Sequence, residues 1–274
     1  MLKFSNACTA GVVWQNSAER LFRSFCTRQG IVQNQVFCDC RQFSKYCFCI
    51  LKNIAYLCHE EYSKDMKIGI IVAMDKELEQ LREVVAGGSR RHCIVLQKCG
   101  IGKVNAAIGA MRMIETYHPD LIVSSGCAGG AADGLHIGQL VAGSTVAYHD
   151  VYCGPETAAG QVQGLPARYD APAALIAKAE AVGAKTGLIA SGDWFVSSAA
   201  EMHAIKQRQP EAIAVDMESA AIAQVCHMNG VPFLSLRIIS DLPLSDENIE
   251  QYADFWSQMA NNSFQATKVF LARL

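Results

Sequence analysis

The sequence predicts an α/β protein built as one domain, with a mostly parallel sheet wrapped by helices. Three observations lead there. From Met66 onward, short apolar runs alternate with segments of helical periodicity. No repeat or low-complexity linker interrupts that alternation. The chain has 274 residues, 51% hydrophobic and 18% charged, which is enough to bury one large core.

The elements follow in order. An apolar run at 67–73 (KIGIIVA) reads as the first strand, and the periodic, charged stretch at 75–85 as the first helix. The run at 93–98 reads as a strand, followed by a helix at 104–117 and a strand at 121–125. A long strand at 139–149 precedes a helix at 172–182, a strand at 186–190 and a helix at 199–207. The last group is a strand at 213–215, a helix at 217–228, a strand at 232–239 and one long helix at 248–273.

The first 65 residues read differently. They hold seven of the twelve cysteines (Cys8, Cys26, Cys38, Cys40, Cys47, Cys49 and Cys58) and carry a formal charge of +3, against −5 for the remainder. The segment CDCRQFSKYCFC pairs its cysteines as C-x-C, whereas zinc sites space paired ligands by two to four residues. The opening MLKFSNACTAGVVWQ has no continuous apolar core of the kind a secretory signal needs. MKIGIIVAMDKELEQL, from Met66, reads as a natural beginning. The expectation is a Cys-rich extension, 1–65, outside the native fold, and a functional domain at 66–274.

A formal net charge of −2 gives no basic footprint for nucleic acid or an anionic membrane, and no stretch reaches the length of a membrane helix. That points to a small-molecule partner. In open α/β sheets ligands bind at the carboxyl ends of the strands, and here those ends are rich in acids: AMDKE (73–77), YHD (148–150), SGDWF (191–195), VDME (215–218) and ISD (239–241). Two glycine-rich segments stand among them. GIGKVN (100–105) is neither a P-loop nor a dinucleotide fingerprint. SGCAGGAADG (125–134) either brings backbone amides close to a ligand or makes a tight turn. Asp216 and Glu218, in the otherwise small and apolar run AVDMESAA, suit the positive end of a helix or a polar site. There is no G-x-S-x-G elbow and no H-E-x-x-H cluster, and of the histidines only His149 stands at a promising strand end. Converging carboxylates with glycine turns and aromatics suit cleavage of a glycosidic bond, where one acid protonates the leaving group and another activates water.

KIGIIVAMDKELEQL, GIGKVNAA, SGCAGG, YHD, SGDWFVSS, AVDMESAAIAQVC and VPFLSLRIISD occur in the order and with the spacing of a known family. From Met66 onward the chain closely resembles the 5'-methylthioadenosine/S-adenosylhomocysteine nucleosidases of the nucleoside phosphorylase superfamily. The resemblance implies a three-layer α/β/α fold around a central mixed, mostly parallel sheet, and a cytoplasmic homodimer acting on adenosine-derived nucleosides with no metal or organic cofactor. It implies Glu77 as the base activating water and Asp241, helped by Ser240, as the acid protonating adenine N7. It places Glu218 on the ribose hydroxyls with Met217 beneath the sugar, Phe195 stacked on the base, and Val196 at the base edge. Met74, Cys127, Ala128 and Gly129 would complete the pocket, Tyr252 would form an aromatic lid near the 5' substituent, and Arg237 would support Glu218 as an ion pair. Cys127 stands where the family has serine, and the loop after Asp241 is one residue longer. Futalosine or aminofutalosine hydrolysis, phosphorolysis of a purine nucleoside, and nucleoside sensing or storage without turnover are the competing readings.

Overall fold

The structure is a computed structural model that describes residues 66–86, 92–245, 247–259 and 264–274. The reading of 1–65 as an extension falls outside these residues. The elements run β1 (Lys67–Val72), α1 (Asp75–Ala86), β2 (Cys93–Lys98), α2 (Lys103–Tyr117), β3 (Leu121–Gly130), β4 (Leu140–Tyr148), β5 (Tyr169–Asp170) and α3 (Ala173–Glu180). They continue with β6 (Lys185–Ser191), α4 (Ala199–Arg208), β7 (Ala212–Asp216), α5 (Ser219–Asn229), β8 (Phe233–Asp241), α6 (Asn248–Asp254), a π-helical turn (Phe255–Met259) and α7 (Gln265–Leu271).

Alternation along the strands explains the layers. Successive strand residues face opposite sides of a sheet, and β1 obeys this: Ile68, Ile70 and Val72 join one apolar cluster, and Ile71 the other. The first cluster packs Leu81 of α1 with Phe255, Phe264 and Phe270 against the sheet. On the second side lie Ala106, Ala110 and Met113 of α2 with Ala220, Ile222 and Cys226 of α5. Small residues on α2 and α5 let these helices approach the strands closely, so each fully buried larger side chain contributes about 1.5–3 kcal/mol.

The sheet is mixed and mostly parallel, as expected. β1 runs parallel to β2 and β3, β8 parallel to β3, and β6 parallel to β4 and β7. The pairs β3/β7, β4/β5 and β4/β8 are antiparallel. β8 joins β3 to β4, so β3, β8, β4, β6 and β7 close into a ring rather than ending as an open sheet. Closure carries the ends of β3, β7 and β8 toward the tip of β1 and the start of α1, where the site lies.

Three expectations change. SGCAGG is not a tight turn: β3 continues through it to Gly130, with a register shift between Ala128 and Gly129 against β8. Glycine in a strand interior signals a bulge or close backbone approach as readily as a turn. The helix expected at 217–228 begins at Ser219, leaving Met217 and Glu218 just before it. The single helix expected at 248–273 is α6, a wide π-helical turn and α7, with 260–263 outside the description.

Candidate active site

A cleft with an empty volume of about 630 Å³, counted to its open mouth, lies at these strand ends. Glu77, Glu218, Met217, Phe195, Val196, Ser240, Asp241, Met74, Cys127, Ala128, Gly129 and Tyr252 all line it. Arg237 lies behind, lining a smaller inner cavity together with Glu77 and Glu218.

Glu77 stands in the first turn of α1. From the third helical position a carboxylate reaches back to the free amides of the helix start, and here Oε2 accepts from the amides of Ala73 (2.9 Å) and Met74 (3.0 Å). Oε1 accepts from the Cys127 amide at 3.0 Å, tying α1 to β3. A side chain at Gly126 would place its Cβ 2.5 Å from this oxygen, so glycine is required there for close approach. Burial pushes the Glu77 carboxyl above its usual range, and the Arg237 charge and these amides pull it back.

Asp241 closes β8 and is 3% exposed. Ser240 Oγ donates to Oδ1 at 2.6 Å. Burial raises the carboxyl's pKa, while the Ser240 hydroxyl and the Asn248 amide favour its charged form. Asn248 was not among the residues singled out from sequence. It is buried at the start of α6 and donates to the Val196 carbonyl at 3.3 Å, linking the acid to the expected base edge. The signal that would have found it is an amide side chain seven residues past the strand-end acid, at a helix start.

Glu218 accepts from the Gly102 amide at 2.9 Å. The loop bearing Gly102 is latched by its neighbour: the Lys103 amide donates to Asp193 at 2.7 Å and Lys103 Nζ to Asp150 at 2.6 Å. This gives GIGK a positioning purpose that its spacing did not show. His149 is buried beside Asp150, and it is not among the residues lining the cleft.

The expected Arg237–Glu218 ion pair is not formed. Arg237 Nε donates instead to Asp216 Oδ2 at 2.7 Å. Asp216 is the last residue of β7, and besides accepting from the Ser219 amide at 3.3 Å, as a helix-start acid would, it carries the buried salt bridge. The direct partner of Arg237 is therefore Asp216, the other acid of AVDMESAA.

Burial and the nearby Asp216 charge push the Glu218 carboxyl up to about 7, with Arg237 opposing. The unfolded value is 4.5, so the folded chain binds more protons between these limits. Stability fully present below pH 4.5 is then lost as pH rises to about 7. Glu218→Gln, which keeps an acceptor for Gly102, is expected to raise the melting temperature of the free protein at pH 8 by roughly 3–8 °C, converging with wild type near pH 4.5. Thermal unfolding across pH checks this; a variant no more stable than wild type at pH 8 contradicts it.

The aromatic side of the cleft is built from α6 and the loop after β6. Tyr252 meets the Phe195 ring edge-on at 5.3 Å, and its hydroxyl approaches Met74 Sδ at 3.8 Å. Phe195 is 47% exposed, leaving a ring face available at the mouth. Trp194 and Ile101 also line the cleft; both were missed because apolar residues in loops carry no periodic signal. Burial, and next the Glu77 charge, hold the Cys127 thiol far above its usual range, so it stays protonated and offers only a weak donor.

The comparisons with known proteins agree with this geometry. The phosphorylase superfamily model matches residues 67–272. The chain is 37% identical over 231 residues to the 5'-methylthioadenosine/S-adenosylhomocysteine nucleosidase of Anoxybacillus flavithermus, covering 76% of this chain and 99% of that protein. It resembles the crystal structure of the enzyme of that name from Neisseria meningitidis, in complex with methylthio-immucillin-A, at 34% identity and a TM-score of 0.71, covering 76% and 100% of the two chains. It also resembles the futalosine hydrolase of Helicobacter pylori at 28% identity and a TM-score of 0.70, covering 76% and 98%. With the superfamily model spanning most of the described fold and such relatives matched over nearly their whole length, the chain belongs to the phosphorylase superfamily, among the 5'-methylthioadenosine/S-adenosylhomocysteine nucleosidases.

Proposed function

We propose that this N-glycosyl hydrolase cleaves 5'-methylthioadenosine, S-adenosylhomocysteine and 5'-deoxyadenosine to adenine and the 5-substituted ribose. The observation that carries the reading is the convergence of Glu77, Glu218 and Asp241, all buried, on one cleft. Departure of the base leaves an oxocarbenium-like sugar. Asp241 donates its proton to N7 so that adenine leaves neutral, Glu218 holds the ribose hydroxyls, and Glu77 takes a proton from the water that attacks the anomeric carbon.

Hydrolysis is favoured over phosphorolysis by the cleft's charge. Among the described residues its lining holds carboxylates and no Lys or Arg, whereas a phosphate co-substrate calls for cationic donors. The two buried acid and base groups argue equally against a binding protein without turnover. A homodimer also belongs to this reading, supported by Val104 and Ile108 on α2 and Ile101 just before it, all exposed large apolar side chains. So does a cytoplasmic setting; among the described residues no helix is long and apolar enough to cross a membrane.

The test is base release from methylthioadenosine, S-adenosylhomocysteine, 5'-deoxyadenosine and aminofutalosine, compared as kcat/KM with and without phosphate. Adenine and free 5-substituted ribose are expected from the first three, independent of phosphate. Ribose-1-phosphate formation would overturn hydrolysis, and a preference for aminofutalosine would move the substrate assignment to that sibling activity.

A further inference from the structure

We propose that Asp216 is a positioning residue of this site, clamping Arg237 so that one guanidinium serves both Glu77 and Glu218 without pairing directly with either. The proposal rests on the hydrolase reading above and adds a residue to it.

The clamp is complete on both sides. Asp216 Oδ2 accepts from Arg237 Nε and from Ser219 Oγ, and Oδ1 from Ser191 Oγ and the Ser219 amide. Arg237 Nη2 donates to Ser124 Oγ at 2.8 Å and Ser219 Oγ at 3.0 Å, and Nη1 to the Leu236 carbonyl at 3.2 Å. Strands β3, β6, β7 and β8 and the start of α5 therefore share one network, in which a planar fork is held by several partners. Both side chains are nearly inaccessible to solvent, at 2% and 1%.

Arg237 lines the inner cavity with Glu77 and Glu218, and its charge acts on both carboxylates. Neither of them lies within ion-pair distance of it. The division has a chemical consequence. A Glu218 paired directly to Arg237 would present an occupied carboxylate to the ribose hydroxyls, and a paired Glu77 would be a poor base. Giving its direct contact to Asp216, Arg237 stabilises both charges through space and leaves their oxygens to substrate and water.

The other groups facing these acids are few. Glu218 is faced by Asp216, Arg237, Glu77 and the Cys99 thiol. Glu77 is faced by Arg237, Glu218, Tyr252 and the thiols of Cys99 and Cys127, with Asp241 acting on Cys127 and Tyr252. Asp216 is faced by Arg237, by Glu218 and by His149 just after β4.

Asp216→Asn is the test, read by the pH profile of kcat/KM and, independently of turnover, by thermal unfolding across pH. Loss of the negative charge beside Glu218, with Arg237 retained, moves the acidic limb to lower pH by about one unit and lowers kcat/KM about tenfold as Arg237 turns toward Glu218. The fall in stability between pH 4.5 and 7 becomes shallower, because the folded-state pKa of Glu218 drops toward its unfolded value. An unmoved limb and an unmoved slope, with only a lower melting temperature, would mean that Asp216 merely neutralises a buried arginine, and overturn the proposal.

Removing one partner of a buried pair strands the other charge. Should Asp216→Asn not fold, the double variant Asp216→Asn/Arg237→Met leaves no unpaired charge; it is expected to lose kcat/KM about tenfold, and the part of the acidic limb that Glu77 contributes moves upward because Arg237 no longer opposes its burial. A double variant with wild-type kinetics, or one that also fails to fold, overturns the proposal. If the wild type releases no base from any nucleoside, the hydrolase reading fails, and the unfolding slope alone decides for or against the clamp.

Discussion

Asp241→Asn is expected to lower kcat for adenine release by about 10²–10⁴ with little change in KM or melting temperature. Asparagine is nearly isosteric, and its Oδ1 still accepts from Ser240 Oγ, so the buried end of β8 keeps its partner. Its amide still donates a hydrogen bond toward N7, which preserves binding, but has no proton to give up. Burial keeps the native carboxyl protonated above the usual range, while the Ser240 and Asn248 donors receive the charge that forms when the proton leaves. Wild-type kcat/KM should therefore fall as pH rises through the raised pKa of Asp241, and this alkaline limb should vanish in the variant. Steady-state kinetics across pH checks both statements; near-native turnover would remove Asp241 from the mechanism.

The acids of this site were legible because each sits at or just after the end of a strand and because no apolar core accepts an unpartnered carboxylate. Position marked the segments AMDKE and ISD, and the family resemblance singled out Glu77, in the first turn of α1 after β1, and Asp241, the last residue of β8. The partner of Arg237 was not legible in the same way. Asp216 and Glu218 are two residues apart on a chain that changes from strand to helix between them, and which of the two meets Arg237 depends on how β7 and β8 are carried round the closed ring. Ring closure itself left no periodic signal, since it comes from β8 pairing with both β3 and β4. The glycines of SGCAGG were ambiguous for a different reason. The residue type permits a turn, yet the position needs close approach of Glu77 to Gly126 within a continuing strand. The π-helical turn after Tyr252 breaks a pattern that looks like one helix, and it sets Phe255 and Trp256 against the same aromatic group as Tyr252.

Glu77→Gln is expected to be as damaging to turnover, about 10²–10⁴ in kcat, but with a different signature. Three amides converge on the native carboxylate, two on Oε2 and one on Oε1. Glutamine offers a single acceptor oxygen, so its NH₂ must face at least one of those amides, which costs about 1–3 kcal/mol of stability. A lower melting temperature should thus accompany the lost activity, unlike Asp241→Asn. The pH dependence differs as well. Wild-type kcat/KM rises with pH as Glu77 ionises, through a pKa that burial raises and Arg237 and the amides restrain; the glutamine variant keeps only the part of this acidic limb that Glu218 contributes. Because protonation of N7 is untouched, the variant should still bind the nucleoside and still respond to Asp241 on the alkaline side. Single-turnover adenine release at several pH values separates these outcomes. A variant that releases adenine at the wild-type rate would show that water attacks without help from Glu77, and the hydrolytic assignment would then rest on product analysis alone.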